Sequence, residues 1–425
     1  MAWPRSPSRC VGRSALATIS VPAIAAAVTA MRLTFLALTM VTTLAHAASP
    51  TQQWPTAGWA QATLERLGID PSAVAGLNAD IESGKYPLVD SLFVARCALA
   101  GFDRRYQHDY GKIFYKEAHE KGALNAHLTG PYNYFDPSWH PYYHGTQAHS
   151  MQSVSKTVTS VTIGAAMQRG DFKGTLDTPV MNYFDKTKVA NVDERKLRMT
   201  LRDVLTMTAG LDWNEDLPYD DPNNTCSVME ATDDWVKYVI DRPMAHEPGK
   251  VFAYSSGATM LLAHIFKKET GQDIDAYAKS HLFGPLGIRD FYWKHSPNGD
   301  VDTEGGLYLT TEDLAKIGYL YLKRGQWAGS QIVPESWVQD SLTPHVTVDS
   351  TQKYGYQWWL LPYGNGKLAY AGRGIGGQTL LVYPEEQLIV VTTAWHILTE
   401  SWLERDITER LLPGLKPLDC SAFAH

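Results

Sequence analysis

Gln152-Ser153-Val154-Ser155-Lys156 sets a hydroxyl and an amine three residues apart at the head of an apolar-striped stretch. On a helix that spacing puts both groups on one face, within reach of each other. A serine hydroxyl is a poor nucleophile until a base takes its proton, and a lysine in a dry site has its pKa lowered toward that task. The head of a helix adds free N–H groups and a positive dipole end, which suit a developing oxyanion. S-x-x-K alone is common, and Ser350-Thr351-Gln352-Lys353 matches it equally well. That second copy lies in a polar stretch before a strand, with no apolar helix behind it.

Phe252-Ala253-Tyr254-Ser255-Ser256-Gly257 precedes another apolar helix, so Tyr254 is a candidate to present its phenol to Ser153 and Lys156. Beside a cation a phenol pKa falls, and such a tyrosine serves first as base and then as acid. Tyr363-Gly364-Asn365 is a rival in a Gly-rich turn. Gly372-Arg373-Gly374-Ile375-Gly376-Gly377 reads formally as G-x-G-x-x-G. A dinucleotide site needs strand, glycines and then helix, whereas Thr379 to Tyr383 is strand-like, so that reading fails. Glycines such as Gly376 at a strand lip instead let a substrate approach the backbone.

These groups need elements to hold them. Asp70-Pro71 starts a helix to about Ser83, and Ser91–Leu99 with Lys112–Lys116 reads as a hairpin. Residues 131–149, aromatic and His-rich without a period, read as a surface loop. Val154, Val158, Val161 and Ala165 make one face of a helix over Ser153–Arg169, closed by Gly170. Helices follow at Leu201–Met207 after Thr200, at Asp233–Ile240 after Thr232, at Ser256–Lys268, and from Thr310 to Arg324. Strands return at Tyr354–Leu360, Lys367–Ala371, Gln378–Tyr383 and Leu388–Ala394, before a last helix over Ser401–Leu412. Strands at both ends with helices between predict an α+β fold, one antiparallel sheet built from both chain ends with a mainly helical domain inserted at about 171–300.

The 425 residues are 44% hydrophobic and 20% charged, an ordinary globular composition, and no basic block suggests a nucleic-acid partner. Residues 1–47 carry four arginines and no acid, so the net charge of −7 becomes −11 without them. Met31-Arg32, the apolar run Leu33–Leu44 and Ala45-His46-Ala47 have the three parts of a secretory signal, which makes residues 1–30 look like an extension and predicts a periplasmic or secreted chain. After that leader come a lead-in at 48–85, the main domain at 86–412 and a tail at 413–425, with no later apolar run long enough to span a membrane. Cys97, Cys226 and Cys420 then allow one disulfide and leave one thiol, with the pair open. His140, His144 and His149 lack metal-ligand spacing and read as surface histidines, so no metal and no cofactor are expected.

The three elements in this order, with Leu205-Thr206-Met207-Thr208-Ala209-Gly210-Leu211 and Gly376-Gly377-Gln378 through Pro384, resemble the serine β-lactamase and penicillin-binding-protein-like hydrolases. The branch is that of class C-type esterases and 6-aminohexanoate-dimer hydrolases, and the likeness runs from Ile81 to Leu412. It implies a β-lactamase-like fold and an acyl-enzyme on Ser153, with Lys156 as proton partner and Tyr254 as general base and acid. It also implies an oxyanion hole from the backbone N–H groups of Ser153 and Ile375. Trp213, in Leu211–Glu215, would lie in a loop over the substrate, with Ser256, Gly374 and Gly376 lining it. Two positions depart from the family. Ser256 stands where the Y-x-N asparagine usually is, and Gly374 stands where the K-T-G triad has its cation, while Arg373 points to the opposite strand face. The expectation is therefore an ester or small-amide hydrolase acting on a small molecule. The alternatives are a β-lactamase or D,D-peptidase, and a non-catalytic penicillin-binding-like sensor or binding module. Oligomeric state is not read from the sequence.

Overall fold

The computed structural model describes residues 54–399 and 403–423, so the expected leader at 1–47 lies outside the described residues. A nine-stranded sheet forms the centre. Its order is Ala60–Gln61, Leu99–Arg105, Val89–Arg96, Leu388–Ala394, Gln378–Tyr383, Lys367–Gly374, Trp359–Tyr363, Lys353–Tyr354 and Val346–Thr347. Every pairing is antiparallel except that of Ala60–Gln61 with Leu99–Ala100. The early strand Val89–Arg96 sits beside the late strand Leu388–Ala394, so the sheet is built from both ends of the chain.

Side-chain alternation divides two cores across this sheet. Phe93, Leu380, Val382, Ile389 and Val391 face the helices Val154–Arg169 and Thr311–Leu322. Leu92, Val94, Leu381, Tyr383 and Val390 face the helices Pro71–Glu82 and Glu404–Leu411. The central strands are buried along their whole length because both faces are covered. Among the described residues, those at 54–85 and 413–423 belong to the same body as the main domain. Arg96 donates to the carbonyls of Leu67, Glu386 and Lys416, and Cys97 is disulfide-bonded to Cys420. Cys226 is a buried free thiol.

Five local expectations are corrected. The partner of the first strand is Leu99–Arg105, reached by a tight turn at Cys97 and Ala98 with φ of 54° and 66°. Its polar end (Asp103, Arg104, Arg105) disguises it, while Lys112–Lys116 is helical, started by Asp109 accepting from the Lys112 N–H. The 131–149 segment is not a surface loop. Its Tyr134, Phe135, His140 and His149 are buried, the first two in a small core with Tyr110, Phe114 and Trp395. Asp234 rather than Thr232 caps the helix Trp235–Ile240, because the Thr232 hydroxyl donates to the Met229 carbonyl. The stretch Tyr354–Leu360 is broken at Gly355, where a Cβ would stand 1.9 Å from the Ser341 carbonyl oxygen. The last helix starts at Glu404, and positions 401 and 402 lie outside the described residues.

Candidate active site

The helix Val154–Arg169 is the central element, and the striped face expected for it is only part of what it buries. Its polar residues are enclosed too, with Thr157, Thr159 and Thr162 each donating to a backbone carbonyl. Ser153 sits at its head after Gln152, whose φ of 46° turns the chain sharply. The Ser153 hydroxyl makes no capping bond to its own helix, so it is left for other partners. Lys156, 1% exposed, donates from Nζ to Ser153 Oγ at 2.7 Å. The same ammonium meets the Glu304 carbonyl oxygen at 2.8 Å and Glu304 Oε2 at 3.3 Å.

Tyr254 reaches the pair from the far side. Its phenol interacts with the Ser153 side chain, which pulls its pKa down, and its ring centroid is 5.2 Å from Lys156 Nζ. The Ala253 N–H bonds the Met207 carbonyl, and the Ser255 hydroxyl accepts from the Ala258 N–H to start the next helix, which fixes the tyrosine between them. Trp359 stacks on its outer face at 5.7 Å. The structure thus brings Ser153, Lys156 and Tyr254 together. Ser350 lies in an exposed bend, and Tyr363 bonds Glu386 in a separate region.

The end of the strand Lys367–Gly374 docks on the same helix head. A Cβ at Gly374 would stand 2.5 Å from the Met151 carbonyl oxygen and 2.9 Å from Gln152 Cβ, which puts Ile375 beside Ser153. Gln378 Nε2 holds the Ile375 carbonyl at 2.8 Å, and Gly376 and Gly377 take φ of 86° and 99° to turn the chain. Among the described residues neither the Ser153 nor the Ile375 N–H is engaged by a protein acceptor. Free N–H donors at the head of this helix and at the end of this strand are the kind of group that stabilises an acyl-transfer oxyanion.

Two expected substrate contacts are corrected. Ser256 is fully buried, and its N–H and hydroxyl both donate to Glu215, at 2.7 and 2.5 Å. Trp213 is 9% exposed and donates its indole N–H to Glu215 at 2.7 Å, while its ring fills the space that a side chain at Gly257 would need. Tyr219 also donates to Glu215, at 2.6 Å. Four donors converge on one buried carboxylate, so Trp213 and Ser256 brace the Tyr254 segment from behind. Gly374 has the same packing character, being pressed against the Met151–Gln152 backbone. Gly376 forms the turn that follows Ile375. Arg373 lies on the sheet face opposite the nucleophile helix, donates to Glu404 at 2.8 Å and lies over the Trp359 ring.

The electrostatics revise the expectation for both proton carriers. Burial opposes the Lys156 charge, but Tyr254, Glu304, Glu215 and Cys226 together hold its ammonium well above the ordinary lysine range. Burial likewise keeps the Tyr254 phenol above its ordinary value, although Lys156 and the Ser153 bond pull it down. At Lys156 the charge of Tyr254 first, then those of Glu304 and Glu215, outweigh the dryness of the site, whereas at Tyr254 burial wins, a balance that spacing alone does not reveal.

Glu304 and Glu215 are the functional residues that sequence reasoning missed. Each lies in a loop among other acids and resembles a solvated surface group. Glu304 belongs to a larger buried cluster. Lys294 Nζ is 3.1 Å from Asp302 and 3.8 Å from Glu230, and burial pushes the Glu230 carboxyl up to about 8. Glu230, Asp302 and Glu304 bring oxygens within 4.8 Å of one another, a spacing a cation could use, but the Lys294 ammonium already supplies the opposing charge. His140 and His149 are buried rather than at the surface. His140 shares a 2.9 Å bond with the Tyr308 hydroxyl, and His149 one of 2.9 Å with Asp90. Separate partners, not a shared centre, account for both.

With this geometry in hand, comparison with known proteins is informative. Residues 138–395 match the sequence profile of the Beta-lactamase family. The 6-aminohexanoate-dimer hydrolase of Paenarthrobacter ureafaciens is 26% identical over 269 residues, covering 58% of this chain and 66% of that one. Two further curated relatives are covered over 52% and 39% of their length. Among solved structures, a D-stereospecific amidohydrolase from Streptomyces sp. superposes with a TM-score of 0.56 at 15% identity, over 81% of this chain and 99% of that one. A penicillin binding protein from Bacillus halodurans gives 0.52 at 19% identity, over 75% and 94%. These structural likenesses speak to the fold.

Proposed function

The chain belongs to the beta-lactamase family, and from that premise we propose that it is a serine hydrolase that cleaves a carboxylic ester or small amide through an acyl-enzyme on Ser153. The observation that carries this reading is the 2.7 Å bond between Lys156 Nζ and Ser153 Oγ, closed on its other side by Tyr254. In the first half-reaction Ser153 Oγ attacks the substrate carbonyl, and its proton passes to Tyr254. The oxyanion rests between the N–H groups of Ser153 and Ile375, and Tyr254 then protonates the leaving group. Water releases the acyl group by the reverse sequence of proton moves.

The departures at 256 and 374 favour an ester or uncharged amide over a β-lactam or D,D-peptide. The Y-x-N amide is replaced by a serine turned inward to Glu215, and the side-chain volume of a K-T-G cation has no room at Gly374. The adjacent Arg373 is engaged by Glu404. We also propose export to an oxidising compartment, supported by the Cys97–Cys420 disulfide and the leader pattern. Among the described residues no helix is long and apolar enough to cross a membrane.

Turnover of a p-nitrophenyl short-chain ester by the native chain, Ser153→Ala and Ser350→Ala tests the proposal. Ser153→Ala is expected to abolish turnover, and Ser350→Ala to leave it intact. Full activity in Ser153→Ala would end the acyl-enzyme reading. Absence of a mass shift on Ser153 after a fluorophosphonate probe would favour a binding module instead.

A further inference from the structure

We propose that Glu304 is a positioning residue for proton transfer. Its carbonyl oxygen at 2.8 Å and its carboxylate at 3.3 Å hold Lys156 as an ammonium, which leaves Tyr254 to receive the Ser153 proton. The role rests on the acyl-enzyme reading above and adds to it the group that decides which neighbour of Ser153 is the base.

Among the described residues, five side chains surround the Lys156 ammonium. Ser153 faces it from its own helix, Tyr254 from the segment before Ser256–Thr270, and Glu215 from the loop after Leu211. Cys226 comes from the helix Thr225–Glu230, and Glu304 from the turn at 302–306. Lys294 is the next buried cation, and it is matched to Asp302 and Glu230 at 3.1 and 3.8 Å. The charge of Glu304 is therefore left for Lys156. A neutral Lys156 would strand that carboxylate in a dry interior without a cation, a costly arrangement.

The turn that carries Glu304 is built rigidly. The N–H groups of Glu304 and Gly305 donate to Asp302 Oδ1 at 3.2 and 2.9 Å. The Thr303 hydroxyl donates to the Thr259 carbonyl, and the Thr303 carbonyl accepts from Thr159 on the nucleophile helix. Glu304 is 4% exposed. Its carboxylate is thus fixed to the same helix whose lysine it holds.

Tyr254 enters as a phenolate, having released its proton to bulk water. As the bond from Ser153 Oγ to the carbonyl carbon forms, the Ser153 proton passes to the phenolate oxygen. Lys156 keeps its proton throughout. The rate of serine acylation therefore rises with pH as the Lys156–Tyr254 pair gives up one proton, and the nearby negative charge of Glu304 sets that midpoint high. Removing the charge makes the proton easier to lose and moves the midpoint down.

The test follows labelling of Ser153 by a fluorophosphonate, read by intact mass from pH 5.5 to 10, in the full chain. Native protein, Ser153→Ala, Glu304→Gln and Glu304→Asp are compared. Glu304→Gln is expected to shift the midpoint down by about one pH unit or more, and Glu304→Asp to stay within about half a unit of native. A Glu304→Gln protein that labels more slowly with an unmoved midpoint overturns the proposal, since a scaffold role moves rate alone. Labelling that persists in Ser153→Ala, or is absent from the native chain, refutes the acyl-enzyme reading instead. Should Glu304→Gln lose its near-UV circular dichroism, native protein carrying [ε-13C]lysine decides. The Lys156 signal, assigned by its loss in Lys156→Arg, is expected not to titrate from pH 6 to 9.5, and a midpoint within that range overturns the proposal.

Discussion

Replacing Gly374 by alanine adds one carbon at the most crowded point of the site. That carbon would stand 2.5 Å from the Met151 carbonyl oxygen, 2.9 Å from Gln152 Cβ and 3.1 Å from Gln378 Cβ. Ordinary carbon contacts lie near 3.5–4.0 Å, so the strand end must withdraw by roughly 0.5–1 Å from the helix head. Met151 and Gln152 are backbone-locked before Ser153, and no flexible side chain is there to yield. The Ile375 N–H moves with the strand, and a misplacement of about 1 Å in a catalytic donor lowers turnover by about 10²-fold. Overpacking of this kind also destabilises by about 1–3 kcal/mol. In a p-nitrophenyl ester assay the fall is expected mainly in kcat, because the donor acts on charge that develops in the transition state. Thermal unfolding on the same sample checks that the protein is folded. A folded Gly374→Ala enzyme with kcat within threefold of native would refute the placement of Ile375 as an oxyanion donor. The same crowding means that Gly374→Lys is expected not to confer β-lactam turnover.

Two further outcomes follow from other regions. Glu230 is raised by burial to about 8 in the folded chain, so its protonated form stabilises the native state below its unfolded value near 4.5, and that contribution is lost as pH rises through 8. Glu230→Gln is therefore expected to gain stability relative to native between pH 5 and pH 8 in urea unfolding, and parallel curves at the two pH values would contradict the assignment. Reduction of Cys97–Cys420, or Cys420→Ser, is expected to lower stability by about 2–5 kcal/mol, read as a drop in melting temperature with ester turnover per folded molecule unchanged.

How far the sequence was legible depended on whether the signal was local. The nucleophile helix, the helix after Ser255 and the hairpin Gln378–Ala394 follow from apolar period, caps and turn residues, and the structure has all three. Ser153, Lys156 and Tyr254 carried motif and context together. The strand Leu99–Arg105 was hidden because its far end is polar and exposed, so its pairing is set by the neighbour rather than by its own pattern. Glu215 and Glu304 were invisible for a related reason. What distinguishes them from surface acids is burial: Ser256, 41 positions away, joins the nearby Trp213 and Tyr219 on Glu215, and Lys156 meets Glu304 from a distant part of the chain. The raised lysine has the same origin, since apolar flanks predict dryness and say nothing of a carboxylate 148 positions away.

The strand Val89–Arg96 has consequences for the timing of synthesis. One edge pairs with Leu99–Arg105 almost at once, but the other waits for Leu388–Ala394, and Ser91 meets Thr393 across 302 positions. At about 5–20 residues per second that interval is roughly 15–60 s, during which the first strand has no second neighbour and the nucleophile helix no finished sheet to lie on. The reactive serine therefore stays unassembled until the final strand is made. A chain arrested or clipped before that point carries the whole S-x-x-K motif and Tyr254 yet has no working site, so the last strand acts as the molecule's own completion signal.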